Sequence, residues 1–460
     1  MRAVSAIAVH SPFSGELIGG APVSGTAQVA DALDLGAAYE NDLSRHERSQ
    51  LLSAVADRLG GLTDELSVLI SRESGLCLKD TRHEVARAVD VFRFAAIEAL
   101  RDDGEAFAGD VSPHGRARRA HTITFPVRLV GAITPFNHPL NQVAHKLAPA
   151  IAAGAPIVLK PSERTPLSAL RLSEVLRDEG LPAAAAQIVC GEPVSILDEF
   201  LAFDAVEVIS FTGGVAVGKS IAERLGYRRA VLELGGNDPM LVLADADLDD
   251  AARLAVEGAF RNSGQRCTAV KRIIAVAEVA DELAERIVAR TRRLRSGDPL
   301  DEETDVGTVI DEAAARVISA RIETAVDAGA SLLCGGERDG ALLAPAVLDH
   351  VPPSAELVAL ETFGPVAPIV RVRDLDDAIA IANATPYALS SSVCTFDWRA
   401  ISRCVRELRA GTVNVNEVPG WRTELTPFGG IGDSGLGVKE GVREAMRAMT
   451  YTKLYTLPWG

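Results

Sequence analysis

From residue 127 to residue 233 the chain repeats one theme: a short, mostly apolar run followed by a longer amphipathic segment. The apolar runs fall at 128–133, 156–159, 187–189, 206–211 and 230–232. Segments of helical period fill 140–152, 166–179, 194–201 and 215–225. A strand covered on both faces loses the in–out alternation of a half-exposed strand, and parallel neighbours need a helical crossover. The alternation therefore constrains this stretch to a doubly wound α/β sheet. A second α/β block follows from about 235 to 430, with strands expected at 240–243, 272–276, 331–333, 366–372, 391–395 and 412–415.

The flanks differ. Residues 3–9 read as a first strand, ended by Pro12 and a Ser/Gly turn. Residues 43–72 read as helix, because Leu51, Val55 and Leu59 recur at i+4, and 80–101 continue in that style. Residues 106–126 are polar and β-prone, with turn signals at Gly109 and Pro113-His114-Gly115, which predicts a protruding hairpin. The tail 449–457 is also β-prone and could extend a sheet, in this subunit or a neighbour.

Charge and cysteine usage narrow the function. Among 460 residues, 47 Lys and Arg stand against 63 Asp and Glu, a formal charge of −16. That balance argues against nucleic acid as a partner, which needs a basic face, yet leaves room for a small anion held by a local cluster of cations. The six cysteines form no C-x-x-C pair, so neither a disulfide framework nor a zinc site is expected, and a reducing cytoplasm fits. The longest apolar stretch, 147–159, contains Pro149, Gly154 and Pro156 and ends at Lys160, short of the roughly 18 residues that argue for a membrane span.

Four features could carry chemistry. Cys267 follows a predicted helix in the polar stretch Asn262-Ser263-Gly264-Gln265-Arg266-Cys267, and the adjacent Arg266 would favour its thiolate, lowering the thiol from about 8.5. A cysteine more often serves as a small buried hydrophobe, but the polar setting argues otherwise here. Glu233 ends an apolar strand, where a carboxylate is either a structural ion pair or a group of raised pKa able to act as a general base. Asn137, in Pro135-Phe136-Asn137-His138-Pro139, is either a turn residue or an amide donor for an oxyanion. The run Phe211-Thr212-Gly213-Gly214 passes from strand into helix, where backbone N–H groups can hold phosphate, although the G-x-G-x-x-G fingerprint is absent.

Together with Lys160-Pro161-Ser162-Glu163, Glu361-Thr362-Phe363-Gly364-Pro365 and Pro427-Phe428-Gly429-Gly430, these motifs span nearly the whole chain and resemble the aldehyde dehydrogenase superfamily. The resemblance implies a Rossmann-type cofactor domain over 1–105 and 127–233, an α/β catalytic domain over 234–430, and a small β oligomerisation element from 106–126 and 445–460. It implies that Cys267 is the nucleophile, forming a thiohemiacetal and then a thioester. Asn137 would hold the oxyanion and Glu233 would activate water for release of a free acid. It implies NAD contacts at Ile133, Thr134, Pro135, Phe136, Lys160, Ser162, Glu163, Gly191, Phe211, Thr212, Gly213, Gly214, Val217, Leu234, Gly235, Glu361 and Phe363. A carboxylate at Glu163 would repel a 2′-phosphate, favouring NAD over NADP. Three positions depart from the family pattern. Phe136 replaces a commoner Trp, Gly214 replaces a common Ser, and Lys439, with Glu440 next, stands where many members carry a relay glutamate. A homodimer or homotetramer is also implied.

Several further stretches, among them Asn137–Lys146, Arg266–Arg272 and Glu417-Val418-Pro419-Gly420, look like the phosphonoacetaldehyde dehydrogenase group. That resemblance implies phosphonate contacts at Arg101, His145, Arg266 and Arg422, and hence a small anionic aldehyde as substrate. A relative acting on phosphonoformaldehyde in phosphonate antibiotic synthesis is the near alternative. Arg266-Cys267-Thr268-Ala269 also resembles non-phosphorylating glyceraldehyde-3-phosphate dehydrogenase, against which Glu163 argues. No metal is implied.

Overall fold

The computed structural model describes residues 6–101, 104–437 and 440–459. Its first sheet has five parallel strands in the order Ala186–Ile188, Ile157–Lys160, Val130–Ile133, Val208–Thr212, Arg229–Glu233. The first of these in sequence lies in the middle, so the chain winds to one side and then to the other. The reversal leaves a crevice between the carboxyl ends of Val130–Ile133 and Val208–Thr212, the usual ligand position in such sheets. Every residue of Val130–Ile133, Ile157–Lys160 and Val208–Thr212 is buried, which is why these strands read as continuous apolar runs.

The second sheet has seven strands, ordered Ser331–Cys334, Ala346–Asp349, Val366–Val372, Arg272–Val276, Pro239–Val242, Ser390–Cys394, Thr412–Val415. All pairs are parallel except the first, where Ser331–Cys334 runs against Ala346–Asp349. The third sheet pairs the tail Thr450–Pro458 with Arg118–Pro126 along nine residues, and Ala106–Ala108 adds to its other side. The tail thus pairs within its own chain, and Tyr451, Leu454, Tyr455 and Leu457 remain exposed on it.

The segment expected as one helix over 43–72 is two, Arg45–Gly61 and Thr63–Ser74, meeting at Leu62. Gly60-Gly61 weakens the helix there, while Ser44 and Glu47 start it with reciprocal capping bonds. The long helix Leu78–Ala99 packs Val85, Val89 and Phe92 against Val143 and Leu147 of Asn141–Ala153. It also supplies Glu84, whose Oε1 accepts from the N–H groups of Leu140 and Asn141 at 2.8 and 3.0 Å. That carboxylate satisfies the free donors at the start of Asn141–Ala153 and fixes the helix that follows Asn137.

Candidate active site

Cys267 is placed by an unusual backbone. After the helix Leu248–Phe260, Asn262, Ser263 and Gly264 take φ values of 60°, 51° and 68° in succession. At Gly264 a Cβ would stand 2.1 Å from the carbonyl oxygen of Gly364, so only glycine fits. Hydrogen bonds hold Asn262, the first of the two strained residues before it. Asp80 Oδ2 accepts from the Asn262 N–H at 2.7 Å, and Asn262 Nδ2 donates to the Asn137 carbonyl at 3.0 Å. Asn137 Nδ2 donates to the Gln265 carbonyl at 2.9 Å. The amide has a second N–H left for an oxyanion formed beside Cys267.

Glu233 is the last residue of its strand and is 3% exposed. The turn after it is tied down by Leu234 N–H donating to Ser434 O and by Ser434 Oγ donating to Gly235 O. A Cβ on Gly235 would meet Glu361 Oε2 at 2.2 Å, and one on Gly236 would meet the Cys267 carbonyl at 2.3 Å. The glycine pair thus lets Glu361 and the Cys267 loop close on the segment that carries Glu233. Lys146 is buried on Asn141–Ala153 and donates to Glu440 Oε1. Burial pulls its ammonium down to about 7, and Glu233 opposes the shift. The sequence reading put Lys439 at the relay position. That residue lies outside the described ones, and the carboxylate turned inward is its neighbour Glu440.

The thiol departs from expectation. Burial pushes Cys267 up to about 11, and the carboxylates of Asp238, Glu361 and Glu233 add to the rise. Arg422 is the foremost cation opposing them, and the adjacent Arg266 also acts on the thiol. Sequence adjacency predicts a lowered thiol, but loss of water costs the anion more than the guanidinium groups return.

The residues expected to hold a dinucleotide gather at the carboxyl ends of the first sheet. Ile133, Lys160, Thr212 and Glu233 end four of its strands, and Thr134, Pro135 and Phe136 follow the first. Lys160 Nζ pairs with Glu163 Oε2 at 2.7 Å, and Ser162 Oγ accepts from Arg164 N–H. Gly213 packs so closely on Phe211 that a Cβ would stand 2.5 Å from its ring. A side chain on Gly214, by contrast, meets nothing within 4 Å. Gly214 caps the helix Val215–Arg224, on whose first turn Val217 is exposed. Gly191 abuts the Ser24 carbonyl, and Phe363 sets its ring edge-on to Phe136 at 5.9 Å. The hydroxyls of Thr134 and Thr212, just past and at the ends of Val130–Ile133 and Val208–Thr212, are buried without a partner among the described residues. Open space at a helix start, two unanswered hydroxyls and a Lys–Glu pair fit a nicotinamide dinucleotide.

The predicted anion contacts divide. Arg266 and Arg422 line a cavity of about 520 Å³ with Arg87, His138 and Asn262. Neither Arg266 nor Arg422 has a carboxylate within ion-pair distance among the described residues, and Arg422 lies 3.7 Å over the Phe428 ring. Arg261 and Arg87 crowd Arg266, and burial with that repulsion takes its guanidinium down to about 10. Two contacts are corrected. Arg101 is absent from this cavity. It lies beyond the far end of Leu78–Ala99, 3.6 Å from Glu98, in a different cavity near the tail strand. His145 is buried behind the wall, bonded to Glu424 Oε2 at 2.6 Å, and does not line the cavity. The residues in those places are Arg87 and His138. Arg87 Nε donates to Glu424 Oε1 at 2.5 Å, so Glu424 holds the inward arginine and His145 together. The only signal for Arg87 in the sequence was its place on an amphipathic helix, where a solvated arginine is the ordinary reading.

Residues 2–455 match the model of the aldehyde dehydrogenase family. The chain is 36% identical over 429 residues to 3-sulfolactaldehyde dehydrogenase of Priestia megaterium, covering 93% of this chain and 89% of that one. It is 37% identical over 407 residues to sulfoacetaldehyde dehydrogenase of Neptuniibacter caesariensis, covering 88% and 89%. Among solved structures, the NADP-dependent glyceraldehyde-3-phosphate dehydrogenase of Bacillus halodurans, complexed with NADP, superposes with a TM-score of 0.96 at 37% identity, covering 100% of this chain and 97% of that one.

Proposed function

The chain belongs to the aldehyde dehydrogenase family, and we propose that it oxidises a small anionic aldehyde to the carboxylate with NAD, a phosphonoaldehyde being the first candidate. The observation that carries the anionic substrate is the pair of guanidinium groups, Arg266 and Arg422, which line one cavity, act on Cys267 through their charge and have no carboxylate within ion-pair distance among the described residues. Half-buried arginines without an ion-pair partner favour a tetrahedral oxyanion through charge-assisted bonds.

In this reading Cys267, once ionised, adds to the aldehyde carbon. The carbonyl oxygen becomes an oxyanion, held by the free N–H of Asn137. A bound nicotinamide supplies the hydride acceptor, and the substrate is left as a thioester on Cys267. Glu233 then takes a proton from water, the hydroxide adds to the thioester, and the C–S bond breaks to return the thiolate. The Lys146–Glu440 pair lies behind Glu233 and can pass on the proton it takes up. Glu163 stands against a 2′-phosphate and holds Lys160 itself, which supports NAD over NADP.

The test is the rate of NADH formation with phosphonoacetaldehyde, phosphonoformaldehyde, sulfoacetaldehyde, glyceraldehyde 3-phosphate and propanal. One charge-assisted bond is worth about 1.5–3 kcal/mol, so the preferred anion should exceed propanal in kcat/KM by at least about tenfold. A panel in which propanal does as well ends the anionic reading. The names of the relatives favour a sulfonate as the second reading, since the same arginines suit it. We also propose a cytoplasmic homodimer or homotetramer: the cysteines are all unpaired, and the tail strand exposes Tyr451, Leu454, Tyr455 and Leu457. Light scattering of the purified protein tests the assembly.

A further inference from the structure

One buried charge near the nucleophile has no part in the chemistry above. Lys271 precedes the strand Arg272–Val276 and is 3% exposed. Its Nζ donates to the Gly264 carbonyl at 2.8 Å and to the Thr362 carbonyl at 2.9 Å. These acceptors sit on different loops. Gly264 closes the left-handed run that leads to Cys267, and Thr362 follows Glu361. The loops also touch directly, because Gly264 packs against the backbone of Gly364. Lys271 Nζ is 5.0 Å from the centre of the Phe363 ring, which meets Phe136 beside Asn137. An ammonium is costly to bury without a carboxylate, and a neutral donor could make the same two bonds. The charge therefore needs its own explanation, and the groups it faces supply one: Glu361, Cys267 and Asp238, with Arg266 opposing.

We propose that Lys271 is a positioning residue that ties the nucleophile loop to the Glu361 loop, and that its positive charge acts on the sulfur of Cys267. The proposal rests on reading Cys267 as nucleophile and Glu361 as a cofactor contact. The tie fixes thiol and cofactor side in one geometry. The charge counters Asp238, Glu361 and Glu233, which all resist ionisation of the thiol.

The experiment compares the full-length protein with Lys271→Met, which removes bond and charge, and Lys271→Gln, which keeps an amide donor without charge. Two readouts need no aldehyde: the rate of Cys267 alkylation by iodoacetamide from pH 7 to 9, and the dissociation constant for NAD by calorimetry. Both variants should alkylate about tenfold more slowly than the parent at pH 7, equal to about one pKa unit, and the gap should narrow towards pH 9, because burial draws the Lys271 ammonium down to about 8 and the parent loses the charge there. Weaker NAD binding should appear in Lys271→Met and be largely rescued in Lys271→Gln. Alkylation within twofold of the parent at pH 7 in both variants overturns the proposal. If Lys271→Met does not fold, the alkylation profile of Lys271→Gln decides in the same way. A parent protein that oxidises no aldehyde, with the alkylation loss intact, removes the functional reading and leaves Lys271 acting on the thiol. Aldehyde oxidation with unchanged alkylation removes the role of Lys271 alone.

Discussion

Arg422 offers the cleanest perturbation of substrate choice. Its guanidinium lies 3.7 Å over Phe428, its Nε has no hydrogen-bond partner among the described residues, and Glu424 acts on it only from beyond ion-pair distance. Arg422→Met keeps an apolar stem over the ring and removes the charge. The fold loses a cation–π contact worth about 0.5–1 kcal/mol, and no buried anion is orphaned, so the melting temperature should fall by no more than about 2 °C. A substrate anion loses one charge-assisted bond of about 1.5–3 kcal/mol, which is about 10- to 150-fold in kcat/KM. Propanal loses only the support that Arg422 gives the Cys267 thiolate, a loss the charged aldehydes share, so they should fall about 10- to 150-fold further than propanal. Arg87→Met would be a poorer test of the same idea. Its partner Glu424 is 4% exposed and would keep only His145, so stability and specificity would fall together. The assay is steady-state NADH production with phosphonoacetaldehyde and sulfoacetaldehyde against propanal. A fall of equal size for charged and neutral aldehydes would refute the anion site, and so would no fall for either.

Three other outcomes follow from the same geometry. Glu233→Gln should still form the thioester but hydrolyse it about 10²- to 10⁴-fold more slowly, seen as a burst of about one NADH per active site followed by near arrest. Glu163→Gln removes the carboxylate that faces a 2′-phosphate and releases Lys160, so kcat/KM with NADP should rise by about tenfold or more while that with NAD changes little. Because the Cys267 thiol sits at about 11, its thiolate is the minor form through neutral pH. Alkylation of the cofactor-free protein should therefore climb about tenfold per pH unit between pH 7 and 9, and a plateau near pH 8 would contradict the assigned burial effect.

What the sequence shows and what it hides divide along a physical line. Glu233, Asn137 and Cys267 stand out as candidates because the first ends a strand and the others follow, within a few residues, elements whose periodicity is visible, and the loops after strands in doubly wound sheets are where sites form. The sheets are legible for the same reason: Val130–Ile133 and Val208–Thr212 are buried on both faces and so read as unbroken apolar runs. Arg87 is hidden because its meaning comes from Glu424, 337 residues away in sequence. On its own helix it looks like any charge on a wet face. Arg101 lies 14 residues further on, roughly 21 Å along a helix at 1.5 Å per residue, so the same helix cannot bring both to one cavity. At the relay position, Glu440 bridges Phe428 in antiparallel fashion and accepts from Lys146, 294 residues away in sequence, a contact that spacing along the chain does not announce. The thiol shows the deepest limit. The sign of its shift is the balance of Arg422 and Arg266 against lost water and three carboxylates brought from Glu233, Asp238 and Glu361, and of these groups only Arg266 is adjacent in the chain.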